Sequence, residues 1–157
     1  MEITRKTIKY NYSSRYGSKI IYIVIHDTGN PKKGSGAINH YLFFNSGNRS
    51  ASAHYFIDDK NIIQTVDDVY AAWHCGDGKG IYGITNTNSI GIEICVNEDS
   101  NFDTAQAKAI ELIRQIMKLH NIPKENIVRH FDASRKICPK SMSENGWRKW
   151  VLFYDKI

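Results

Sequence analysis

The run Lys19-Ile20-Ile21-Tyr22-Ile23-Val24-Ile25 is nearly continuous in β-branched and aromatic residues. A strand that is apolar on both sides has no face to offer water, so it belongs in the middle of a sheet with both faces covered. That requirement points to an α/β domain. It also delivers His26 at the C-terminal end of a buried central strand, ahead of Asp27-Thr28-Gly29-Asn30-Pro31, which reads as a loop.

The rest of the chain supplies the remaining layers. From Ser35 to Phe44 the residues Ala37, Ile38, Tyr41 and Leu42 recur at helical spacing. Ala53–Ile57 and Ile62–Val66 flank Asp58-Asp59-Lys60-Asn61, a predicted hairpin. Residues 76–88, rich in Gly, Asn and Thr, form a long surface loop, the kind of segment on which binding residues tend to sit. Ser89–Val96 reads as a strand with Ile90, Ile92 and Ile94 on one face and Gly91, Glu93 and Cys95 on the other. Asp103 and Gln106 have the spacing of a capping box. The helix after them has a stripe of Ala109, Ile110, Ile113, Ile116, Met117 and His120 and ends at Asn121-Ile122-Pro123. Ile127-Val128-Arg129 is a short strand leading to His130, and Glu144–Tyr154 is a closing helix. The 157 residues, 41% hydrophobic, suit a single domain over 1–157 and hardly two. The expected architecture is α/β, a central mixed sheet flanked by helices.

No apolar run approaches the roughly 18–20 residues of a membrane span. Met1 to Ser18 is polar, without the hydrophobic region of a signal peptide. The three cysteines, Cys75, Cys95 and Cys138, cannot all pair within the chain and are too few for a disulfide scaffold. The net charge of +5 suits nucleic acid, an anionic membrane or an anionic cell wall. The basic residues are scattered, however, and no nucleic-acid motif accompanies them.

The chemistry-bearing segment is Arg129-His130-Phe131-Asp132 followed by Arg135-Lys136-Ile137-Cys138-Pro139, set against His26. Two histidines and one cysteine make a three-ligand zinc site, with the fourth position open to hold and acidify a water. Structural zinc sites use four ligands and usually cluster them in close pairs, a pattern absent here.

His26 in IVIHDTGN, the segment AWHCGDGKGIYGITNTNSIGIEICV, and RHFDASRKICP together resemble the type 2 N-acetylmuramoyl-L-alanine amidases, the Amidase_2 group that includes phage lysins and peptidoglycan recognition proteins. The similarity is closest to lysin and autolysin catalytic domains acting on Gram-positive walls and covers about residues 20–140. It implies that His26, His130 and Cys138 bind Zn2+, that Glu93 is the catalytic acidic residue and that Lys136 faces the metal-bound oxygen. Some members place a catalytic tyrosine just before the strand histidine, here His54. Ala53 stands at that position, which shifts weight to Glu93.

The residue chemistry agrees with that implication. An amide carbon resists neutral water, so Glu93 would take the water's proton and return it to the departing amine. Lys136 would stabilise the oxyanion, and in an extended segment Lys136 and Cys138 project to the same side. His74, beside Trp73 before the long loop, is a candidate substrate contact. His54 is a strand residue lining the site and not a ligand, His40 and His120 are packing or surface residues, and Cys75 and Cys95 are structural thiols.

The leading reading is zinc-dependent hydrolysis of the bond between N-acetylmuramic acid and L-alanine in bacterial peptidoglycan. The chain would be made in the cytoplasm and act on the wall after release, with no nucleic-acid or membrane partner. The alternatives are a non-catalytic peptidoglycan-binding module, which would lack Cys138, and a thiol hydrolase built from Cys138 and His130.

Overall fold

The computed structural model describes residues 2–157; Met1, the first residue of the expected domain, lies outside them. The long apolar run becomes β3 (Tyr22–Asp27), after the short β1 (Thr4–Arg5) and β2 (Tyr12–Ser14). β4 (Tyr55–Ile57) and β5 (Ile62–Gln64) form the predicted hairpin, closed by the Asp58 N–H donating to the Asn61 carbonyl. With β7 (Ser89–Ile94) and β8 (Ile127–Arg129) they complete a six-stranded sheet of order β1-β5-β4-β7-β3-β8. Every pairing in that sheet is parallel except β4 with β5. A separate ribbon pairs β2 with β6 (Tyr70–Ala72).

The pleat separates the two faces of the sheet. Ile23 and Ile25 of β3, Ile90, Ile92 and Ile94 of β7, Tyr55 and Ile57 of β4 and Ile127 of β8 all join one apolar cluster. It is covered by α2 (Phe102–His120), which contributes Ala105, Ala109, Ile110, Leu112, Ile113 and Ile116, and by Trp150 and Phe153 of α4 (Glu144–Asp155). Each fully buried isoleucine contributes about 1.5–3 kcal/mol relative to an exposed one. The opposite face presents Val24 and His26 of β3 and Ser89, Gly91 and Glu93 of β7. α1 (Ala37–Asn45) and the five-residue α3 (His130–Ser134) lie on that side.

Three local expectations are corrected. α1 was expected to bury Ile38 and Leu42, but both are exposed; Ala37, Tyr41 and Phe44 pack inward against Phe56. The side chain that caps α2 is Asn101, accepting from the Thr104 N–H, while Asp103 and Gln106 bond only each other's side chains. α4 is not regular from its start, because Asn145, Gly146 and Trp147 all adopt left-handed φ. Its apolar spacing is carried by the residues beyond that bend. Among the described residues no helix is long and apolar enough to cross a membrane.

Candidate metal centre

His26 lies on the polar face of the sheet near the C-terminal end of β3, and its registered partner on β7 is Glu93. Parallel pairing therefore sets the two side chains next to each other, with His26 Nδ1 3.9 Å from Glu93 Oε1. β8 runs alongside β3 and passes directly into α3, so His130 arrives beside His26 with ring centroids 4.6 Å apart. The corner is tied by Asp132, which accepts from both the backbone N–H and the guanidinium of Arg129. The chain then returns: Phe131 N–H donates to the Cys138 carbonyl, and Ser141 N–H donates to Asp27 Oδ2. These ties hold Cys138 against β3, with its sulfur 3.7 Å from His26 Nδ1.

One donor atom each from His26, His130 and Cys138 falls within 4.8 Å of the others, and all three residues are buried. Tetrahedral zinc with ordinary Zn–N and Zn–S lengths spaces a nitrogen and a sulfur about 3.6 Å apart. The His26–Cys138 separation of 3.7 Å fits that spacing. His130 Nε2–H donates to Asp77 Oδ1 at 2.8 Å, which leaves the buried His130 Nδ1 with no hydrogen-bond partner. Glu93 Oε2 is likewise buried and unpartnered. Buried polar atoms without partners cost energy unless something satisfies them, and a cation among these groups would do so.

The electrostatics point the same way. Burial, with Asp27 nearby, pushes the Glu93 carboxyl up to about 8, against the pull of Lys136. Burial and the nearby Glu93 also push the Cys138 thiol up to about 12, while the backbone of Asp27 and the charge of Lys136 act in the other direction. Burial holds His26 well below the usual imidazole range, assisted by His74, His130 and Lys136. The centre therefore contains an imidazole kept neutral and two acids whose anions the Lys136 charge offsets less than burial penalises. A divalent cation supplies positive charge there and ionises a coordinating thiol. Lys136 itself is exposed, two residues before the buried Cys138, and its charge is felt at all three donor residues and at Glu93.

Residues 16–141 match the N-acetylmuramoyl-L-alanine amidase family, Amidase_2. The chain belongs to that family. It is 39% identical over 136 residues to the N-acetylmuramoyl-L-alanine amidase CwlH of Bacillus subtilis (strain 168), covering 87% of this chain and 53% of that one. It is 38% identical over 127 residues to XlyA of the same organism, covering 81% of this chain and 42% of the relative. The chain thus spans about half the length of the curated relatives it matches. The solved catalytic domain of XlyA superposes with TM-score 0.88 at 34% identity, covering 100% of this chain and 99% of that one. The structure of PlyL superposes with TM-score 0.84 at 35% identity, covering 99% and 96%.

Within this amidase fold His74, the candidate substrate contact of the sequence, packs behind His26. The residue is buried, with Nδ1 3.1 Å from His26 Nε2 and Nε2 3.1 Å from Ser89 Oγ, so both ring nitrogens are engaged by protein behind the three-donor cluster. Gly91 makes room for it, since a Cβ there would lie 2.5 Å from the His74 ring. His54 is wholly buried and accepts from the Gly91 N–H through Nδ1. His120 pairs with Asp68 at 2.9 Å, while Cys75 and Cys95 are free and buried. Sequence reasoning missed Asp77 and Ser89. Asp77 reaches His130 because Gly78 lets the loop press against α3, where a Cβ would sit 2.1 Å from the Ala133 carbonyl oxygen. The available signal was Asp77 between two glycines in a segment already recognised as resembling the family.

Proposed function

We propose that the chain is the catalytic unit of a zinc-dependent N-acetylmuramoyl-L-alanine amidase that cleaves the amide between N-acetylmuramic acid and L-alanine in bacterial peptidoglycan, acting on the cell wall. The observation that carries this reading is the meeting of one donor each from His26, His130 and Cys138 beside the unpartnered carboxylate oxygen of Glu93. His26, His130 and Cys138 would hold the zinc ion, which would supply Lewis acidity to the attacking water. Asp77 orients His130 by accepting its Nε2–H. Glu93 takes the proton of the attacking water and returns it to the amine as the amide C–N bond breaks. Lys136 meets the negative charge that develops on the substrate carbonyl oxygen. Its exposure lets substrate approach it, and its charge already reaches Glu93 and Cys138.

A pure binding module would have no use for a buried thiol beside two imidazoles and a carboxylate with one buried, unpartnered oxygen. A thiol hydrolase would need an activated thiolate, whereas burial stabilises the neutral Cys138 thiol. The test is hydrolysis of purified Gram-positive peptidoglycan, with products identified by mass spectrometry, before and after chelation and zinc restoration. Stem peptides beginning at L-alanine, lost with chelator and regained with zinc, are expected. Binding without cleavage in either state, or cleavage indifferent to chelator, overturns the reading.

A further inference from the structure

We propose that His74 and Ser89 are positioning residues: a buried hydrogen-bond relay that fixes the tautomer of His26 and so presents its Nδ1 lone pair to the metal. The inference rests on the zinc reading above and adds residues to it. The relay is anchored at the Thr85 carbonyl, 2.5 Å from Ser89 Oγ. A carbonyl oxygen can only accept, so the single hydroxyl proton of Ser89 lies in that contact. Ser89 Oγ must then accept from His74 Nε2–H, at 3.1 Å. In a neutral His74 ring this leaves Nδ1 without a proton, and it accepts from His26 Nε2–H, also at 3.1 Å. His26 therefore has its lone pair on Nδ1, the atom 3.7 Å from the Cys138 sulfur. The reverse polarity would place two oxygen lone pairs against each other at Thr85 and turn an N–H toward the metal.

The surroundings hold the relay in this sense. Thr85 is fixed by a reciprocal cap in which its hydroxyl accepts from the Asn88 N–H and its own N–H donates to the Asn88 side chain. Asn86 Oδ1 accepts from the backbone N–H groups of both His74 and Cys75. Ser89 is wholly buried, so water does not compete for its hydroxyl. The absent side chain at Gly91 is what allows the His74 ring to lie flat enough to reach both neighbours.

The test combines zinc affinity, measured by competition with a chelator, with nitrogen-15 NMR of the histidine rings in metal-free protein. The wild type should show His26 protonated on Nε2. His74→Phe should weaken zinc about 10–100-fold, and Ser89→Ala should weaken it less. His74→Asn, whose amide oxygen falls near the place of Nδ1, should restore affinity to within a few-fold of wild type. Unchanged affinity in a folded His74→Phe protein, or a proton on His26 Nδ1 in the wild type, overturns the relay. If His74→Phe does not fold, the Ser89→Ala affinity and the wild-type spectrum decide. A wild type that takes up no zinc rejects the metal reading instead, and the His26 spectrum still upholds or rejects the relay.

Discussion

Both faces of the central sheet are covered, and they differ in what burial does to them. Behind β3 and β7, Ile23, Ile25, Ile90, Ile92 and Ile94 meet α2 and α4 in an apolar layer, where burial stabilises every group. In front, the neighbouring residues of the same strands are His26, Ser89 and Glu93, and burial penalises their charged or unpaired forms. One face therefore supplies stability and the other stores unmet electrostatic demand. The demand is answered by the hydrogen bonds made with Asp77, His74 and Ser89 and, on the reading proposed above, by a bound cation.

The largest effect should come from removing a donor on the polar face. Cys138→Ala and His26→Ala should each lose zinc and reduce hydrolysis to background, while the apolar face keeps the protein folded. Metal content and urea unfolding on the same preparations separate the two outcomes. A Cys138→Ala protein that keeps both zinc and activity would break the comparison. Glu93→Gln sharpens it, since a side chain that is no ligand should leave zinc bound while kcat falls about 10²–10⁴-fold. Wild-type turnover in that variant would remove Glu93 from proton transfer.

On the other face, Ile92→Ala should cost about 2–5 kcal/mol. Ile92 is fully buried in the apolar cluster and lies between Gly91 and Glu93 in β7. Unfolding by denaturant reads the loss, and zinc stoichiometry should stay at the wild-type value wherever the protein remains folded. A smaller cost than that of an exposed leucine such as Leu119 would show that this layer is not where the stability lies.

How much of this was legible in the chain follows the same division. The apolar face was written locally: β3, the β4–β5 hairpin, the strand at Ser89, the stripe of α2 and its stop at Asn121 each follow from periodicity within one segment. The donors were legible too, because three separated motifs occur in the order of a known family. What sequence could not supply was register. That His74 sits behind His26 depends on Ser89 and Gly91 of a different element facing the same side. The inward side of α1 is likewise chosen by Phe56 across space, so Ile38 and Leu42, at correct helical spacing, end up exposed. β1 and the two strands of the β2–β6 ribbon are only two or three residues long, below what alternation can reveal.

The gentlest probe of the polar face is acid. Burial, with Arg15 beside it, lowers the His54 imidazole to about 4, although Asp68, Tyr70 and Asp67 pull the other way. The unfolded chain, with an ordinary histidine near 6.5, binds the proton first as pH falls. Its stabilising contribution is therefore intact above about pH 6.5 and is lost progressively toward pH 4, with no further loss below. The full difference amounts to about 3 kcal/mol from this one residue. His26 and His74, also held low by burial, add to the slope in metal-free protein. Unfolding free energies at pH 7, 5.5 and 4.5 should therefore fall more steeply in wild type than in His54→Gln, by close to one proton across the window. Parallel slopes would mean that His54 is charged in the fold, and the buried polar face would then be tolerating a cation that the Gly91 N–H aimed at Nδ1 and the neighbouring Arg15 charge are arranged to exclude.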